Sequence, residues 1–189
     1  MRYVGLTTAL LVAAALAALA AAGCGNPYVT IQYATGGPDE RVDYDSATFQ
    51  LVRGHKVQII LFRRTAANGG EAEPDFEYLF LELPERSRYG WLRDDRVPAY
   101  RWVRQGGQDR VWLGTAGQVR LRMRDSKQRM HFDFRVTMEP VAGTPGGAYV
   151  LAGNPKVIED AVKTQSLINR YGEWLSSIVN PEPPKEKTP

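Results

Sequence analysis

The sequence has almost none of the residues from which disulfides, metal sites and nucleophilic centres are built. One cysteine, Cys24, and two histidines, His55 and His131, serve 189 residues. A disulfide within the chain is excluded, because a bridge needs two thiols. No Cys-x-x-Cys or His-x-x-x-His spacing occurs, which leaves the common zinc geometries without ligands. His55 follows a turn glycine and His131 falls on the polar phase of a strand, so both read as surface residues. Gly-x-Ser-x-Gly and Gly-x-x-x-x-Gly-Lys are also missing, and with them a serine elbow and a phosphate-cradling loop. No cofactor is implied. Excess charge is lacking too: 24 basic and 21 acidic residues leave a net +3, so charge alone does not point to nucleic acid. The remaining route to catalysis is a carboxylate pair hidden among Asp75, Glu77, Asp94 and Asp95, which would suit a hydrolase.

Only one long apolar run exists, and it lies at the start. Arg2 precedes an unbroken stretch from Ala9 to Ala22, closed by small residues. That is the layout of a secretory signal. A spanning helix needs about 20 apolar residues, and Val4 to Ala22 approaches this if Gly5 and two threonines are accepted, so an uncleaved anchor is an alternative. Ala20-Ala21-Ala22 would also suit ordinary signal peptidase, which would leave Cys24 as a free thiol, a liability in an oxidising compartment.

The stretch Ala21-Ala22-Gly23-Cys24 resembles the lipobox of bacterial lipoproteins, departing from it at Ala21, where Leu is usual. The resemblance covers the leader alone. It implies residues 1–23 as signal peptide, a diacylglyceryl group on the Cys24 sulfur, cleavage after Gly23 and acylation of the freed amine. Acyl chains account for the solitary cysteine, and two or more anchor a protein stably where one does not. Gly25 and Asn26 follow, with no Asp directly after the cysteine, which by resemblance implies the outer membrane, facing the periplasm or the cell surface. The expected partners are the membrane, through the lipid anchor, and an envelope protein. Nucleic acid is not expected.

Period-2 alternation then dominates from residue 28 to about 151. It predicts strands over 28–34, 47–53, 56–64, 75–83, 100–104, 110–114, 118–124, 129–138 and 148–151, separated by Gly-, Pro- and Asn-rich turns. The fold expected is an antiparallel β-sandwich or small β-barrel of eight to nine strands over 24–153, with one long C-terminal α-helix. The clearest unit is a hairpin over 118–138 turning at Ser126-Lys127. It sets Met123 opposite Met130, Leu121 opposite Phe132, Val119 opposite Phe134, and Arg120 opposite Asp133. A slip of one residue would oppose apolar and charged positions, so the pattern specifies the register.

After Gly153 the period lengthens. Asn154 reads as an N-cap and Pro155 as the first helical residue. Val157, Ala161, Ile168, Tyr171, Leu175 and Ile178 trace an apolar stripe along a helix over 154–179. Packing on the β-domain is expected, since burying the stripe is what stabilises such a helix. Pro181, Pro183 and Pro184 end it, and 180–189 reads as a disordered tail.

Eighteen of the basic residues are arginine, and they concentrate twice. Arg120, Arg122, Arg124, Arg129 and Arg135 share the polar face of the hairpin with Asp133 as the one acid. Residues 86–105 interleave six arginines with Tyr89, Trp91, Tyr100 and Trp102. Guanidinium forks beside aromatic faces suit sugars or lipids bearing carboxylate or phosphate. The candidate ligand-binding residues are therefore Arg120, Arg122, Arg124, Arg135, Trp91, Tyr100 and Trp102, for an anionic glycan or lipid. The alternative for 86–105 is aromatics packed under a loop that the arginines solvate. The function expected is non-catalytic binding or assembly at a membrane. A lipocalin-like carrier is the first alternative, which requires one face of the strand over 75–83 to line a cavity. A carboxylate hydrolase is the second.

Overall fold

The computed structural model describes residues 26–52, 56–64, 75–84, 92–94, 97–124 and 129–179. Cys24, the leader, Tyr89, Trp91 and the Pro-rich tail lie outside them. Among the described residues eleven strands form one sheet. They are β1 Tyr28–Tyr33, β2 Glu40–Asp43, β3 Ser46–Val52, β4 Lys56–Arg64, β5 Phe76–Pro84, β6 Leu92–Asp94, β7 Ala99–Gln105, β8 Gln108–Arg124, β9 Arg129–Pro140, β10 Tyr149–Gly153 and β11 Lys156–Glu159. One helix follows, α1, over Ala161–Val179. The fold is mainly β, as the alternation predicts.

The sheet closes. Pairing runs β3–β4–β5–β7–β8–β9–β11 and returns to β3. Every neighbour in this ring is antiparallel except β11 and β3, where Ile158 lies beside Thr48 and Glu159 beside Phe49. An odd number of alternating strands must bring two of like direction together, and this is where they meet. β2 leads into β3 and β10 into β11 as successive lengths of two strand paths, and β1 enters between β2 and β10, antiparallel to both. The barrel is thus one strand wider at the β1 end. At the fork where β1 begins, Tyr44 N donates to Pro27 O at 2.7 Å.

Alternation decides which side chains face inward. Phe49, Val57, Ile59, Leu61, Leu79, Leu81, Leu83, Val119, Leu121, Phe132, Phe134, Val136, Leu151 and Val157 fill the interior. The register of the β8–β9 hairpin is the one the sequence pattern specifies, from Val119 beside Phe134 to Arg124 beside Arg129. Phe132 is fully buried.

Two expectations are corrected. The segments over 110–114 and 118–124 belong to one strand, β8, which bends at an irregularity between Gly114 and Ala116. A Cβ on Gly114 would stand 2.6 Å from the Val97 carbonyl oxygen, so the bend needs glycine there. The gap expected between the two segments is a kink within a strand. The second correction concerns the helix. Residues 156–159 form β11 rather than a first helical turn: Val157 points into the barrel while Lys156 and Ile158 point out. The cap is Asp160, whose Oδ1 accepts from Lys163 N at 2.8 Å. Neither Asn154 nor Pro155 caps anything; the Pro155 carbonyl accepts from Phe132 N at 3.1 Å, continuing the ladder to β9.

α1 packs on the outside of the barrel. Tyr171 inserts among Phe62, Phe76, Tyr78 and Trp102, with ring centroids 4.8–5.9 Å away. Thr164 is fully buried and donates to Thr48 Oγ1 at 2.9 Å. The helical stripe is Thr164, Ile168, Tyr171 and Leu175, without the exposed Ala161. Both faces of β5 are therefore covered, Leu79 and Leu81 by the barrel interior and Phe76 and Tyr78 by the helix side. No helix among the described residues is long and apolar enough to cross a membrane.

Candidate functional site

The hairpin arginines lie on the outer surface because Val119, Leu121, Phe132 and Phe134 claim the inner one. Register places Arg120 beside Asp133, Arg122 beside His131, and His131 in turn beside Lys156 of β11. Arg129 lies beside Ile158, and Arg135 between Gln118 and Ala152. Asp133 does not bond its cross-strand neighbour Arg120. It takes Arg122 on the diagonal through two bonds, Nε to Oδ2 at 2.7 Å and Nη2 to Oδ1 at 2.8 Å. Arg122 is consequently neutralised, whereas Arg120, Arg129, Arg135 and Lys156 form no ion pair with a described residue. Arg124 belongs to β8, but its side chain is outside the described set.

The aromatic candidates part company with this face. Trp102 is 2% exposed, buried under α1 beside Phe76 and Tyr171, and its Nε1 donates to Asp109 at 2.7 Å. It is a core residue and offers no platform to a ligand. Tyr100 is half-buried against Phe80 on β5, with centroids 5.9 Å apart. Both belong to the helix side of the barrel, packed there by α1 and β5 rather than under a loop.

Beside the arginine face lies a cleft of about 530 Å³, at the fork where β1 enters between β2 and β10. Asn26, Tyr28, Arg129, Lys156, Ile158 and Lys163 line it, along with Asp45 and Asp160. Both acids are engaged by main-chain amides: Asp45 Oδ2 accepts from Arg64 N at 2.7 Å, and Asp160 Oδ1 caps the helix. The basic side chains carry no such commitment. His131 Nδ1 lies 3.2 Å from Asn154 Oδ1 at the edge of this region.

Sequence reasoning missed the barrel's main polar feature. Glu77, 1% exposed, accepts from Arg101 Nε at 2.7 Å, from Arg63 Nη2 at 2.7 Å and from Tyr44 Oη at 2.5 Å. Arg101 also donates to Tyr149 Oη at 3.0 Å. Burial alone would raise the Glu77 carboxyl, but the Arg101 charge and hydrogen bond, with Arg63 and Tyr44 behind them, hold it below its ordinary value. Burial likewise pushes the Tyr149 hydroxyl up to about 12. The signal was available in phase: Glu77 precedes Leu79 and Leu81, and Arg101 follows Ala99, all on the inward side.

A carboxylate so clamped stays ionised and enclosed, which is the opposite of a general acid poised near neutral pH. Asp75, another of the acids considered for hydrolysis, accepts from Gly106 N at 2.8 Å and holds the β7–β8 turn. The side chains of Asp94 and Asp95 lie outside the described residues. Among those described, no group of three or more His, Cys, Asp or Glu could hold a metal ion. Searches of protein-family models, curated proteins and solved structures find no match to this chain.

Proposed function

We propose that this chain is a lipid-anchored envelope protein that works by binding, through the outer face of β8 and β9, rather than by catalysis. The observation that carries the reading is the row Arg120, Arg129, Arg135 and Lys156, outward on adjacent strands with no described acid to neutralise it. Arg129 and Arg135 stand six residues apart on β9, about 20 Å along it, with Arg120 and Lys156 on the strands to either side, so positive charge extends over the face and attracts an anion. The interior supports the same reading. It is packed with side chains from Phe49 to Val157, and the fork cleft lies outside it, which favours a surface binder over a carrier. The anchor is Cys24, on its resemblance to the lipobox, and the absence of Asp after it favours the outer membrane.

Two measurements test this. Cys24→Ser should abolish incorporation of a fatty-acid analogue and release the protein from membranes. Undiminished membrane association with an intact leader would identify a spanning segment instead. Arg120→Ser with Arg135→Ser should weaken binding to acidic glycans and anionic vesicles. Binding that is absent in the parent, or equal in the double variant, removes the anionic ligand from the reading.

A further inference from the structure

We infer that the fork cleft and the basic face beside it form a membrane-docking surface, seated on the anionic headgroups of the same leaflet that holds the acylated Cys24. This rests on the reading of Cys24 as acylated. Asn26 lines the cleft and follows Cys24 by two residues, so extended chain can separate them by only about 7 Å. A tether that short cannot hold the barrel away from the bilayer. Whatever surrounds Asn26 must lie within the headgroup layer.

What surrounds it is suited to that layer. Arg129, Lys156 and Lys163 line the cleft, and Arg120 and Arg135 continue the charge along β8 and β9. Ile158, 48% exposed on β11, and Tyr28, 45% exposed on β1, line the cleft with them, and Val162, 83% exposed, precedes Lys163 in the first turn of α1. Bases that reach phosphates, with a few apolar side chains to enter the acyl boundary, are what an interfacial surface requires. An acidic glycan would use the cations but not Ile158 or Val162. Asp45 and Asp160 keep their charge while accepting from backbone amides, but the three bases of the cleft outnumber them, and Asp133 is paired with Arg122.

The test uses the acylated full-length protein. Acylation consumes Cys24, the sole cysteine, so Ile158→Cys accepts a single environment-sensitive fluorophore. Gln108→Cys, exposed at the β7–β8 turn across the barrel, serves as the control. On vesicles of phosphatidylethanolamine and phosphatidylglycerol the label at 158 should shift to an apolar spectrum and be quenched by nitroxide lipids, while the label at 108 remains in water. Replacing Arg129, Lys156 and Lys163 with serine should reduce the docked-to-undocked ratio roughly 100-fold, at about fivefold per basic residue, with the protein still held by its acyl chains. A label at 158 that stays in water on membrane-bound protein overturns the docking surface and leaves the anchor standing. Absence of acyl chains on Cys24 overturns both. A shift at 158 with soluble alginate but not with vesicles assigns the face to a glycan, and a concentration-dependent shift without vesicles assigns it to a second copy; either overturns the proposal.

Discussion

At the end of the barrel without β1, the inward positions carry Phe49, Val57, Leu83, Leu121, Phe132 and Val157, all hydrocarbon. At the end with β1, the same inward register carries Tyr44, Glu77, Arg101, Trp112 and Tyr149. The extra strand widens the ring, and long side chains span the added volume. Their polar tips then need partners in a dry interior. Arg101 satisfies several at once, bonding Glu77 and Tyr149 while its Cζ lies 5.3 Å from the Trp112 ring centre and 5.5 Å from that of Tyr149. The match is incomplete: the buried Trp112 Nε1 finds no partner among the described residues. The comparison teaches that one end is held by non-directional packing and the other by a network that fails when a single member is lost.

The largest effect expected is from Glu77→Leu. It leaves Arg101 buried without its carboxylate and should cost about 3–5 kcal/mol in chemical denaturation. Combining it with Arg101→Met should recover much of that loss, because an apolar pair needs no partner. Additive losses would mean the network is a set of independent contacts. At the other end, Phe132→Ala should cost about 3–5 kcal/mol through a cavity. That penalty should not change with pH, and a pH-dependent one would merge the two ends.

Acid should distinguish the ends next. The Glu77 carboxyl is lowered in the folded protein, so its stabilising contribution is complete above the unfolded carboxylate range, about 4.3, and disappears as pH falls through the lower folded value. Wild-type stability should therefore decline below about pH 4, and Glu77→Gln should flatten that decline. A parallel decline in both proteins would place the acid sensitivity elsewhere. The smallest effect belongs outside the barrel: Asp160→Ala should cost about 1 kcal/mol by removing the cap of α1. A cost near zero would show that Tyr171 and Leu175, rather than the cap, position the helix.

Reading the sequence went furthest where two periodicities had to agree. In the β8–β9 hairpin, apolar and charged residues alternate on both strands, and only one register keeps them apart, so Leu121 and Phe132 could be paired without coordinates. It failed where a local signal had two uses. Asn154-Pro155 suits a helix start, yet the ladder from Phe132 to the Pro155 carbonyl and the parallel step from Ile158 to Thr48 draw the next residues into the sheet. Residues 115–117 read as a gap between two strands, yet they lie in a bend of one strand that lets Val97 approach β8. For the candidate site, Arg120 and Arg135 were assignable to the outer face by parity alone. The fate of Trp102 was not, because parity puts it on the same outward side and only α1, arriving from the far end of the chain, covers it.

What the sequence by itself determined are the quantities set by neighbours along the chain: most strand positions, their inward and outward phase, and the hairpin register. The closure of the barrel through a parallel step, the entry of β1 that widens one end, the meeting of Glu77 with Arg101 and the fork cleft beside Lys156 and Lys163 were decided only in three dimensions. Each depends on segments separated by many residues, whose approach is governed by the requirement that edges pair and the interior fill rather than by any local preference.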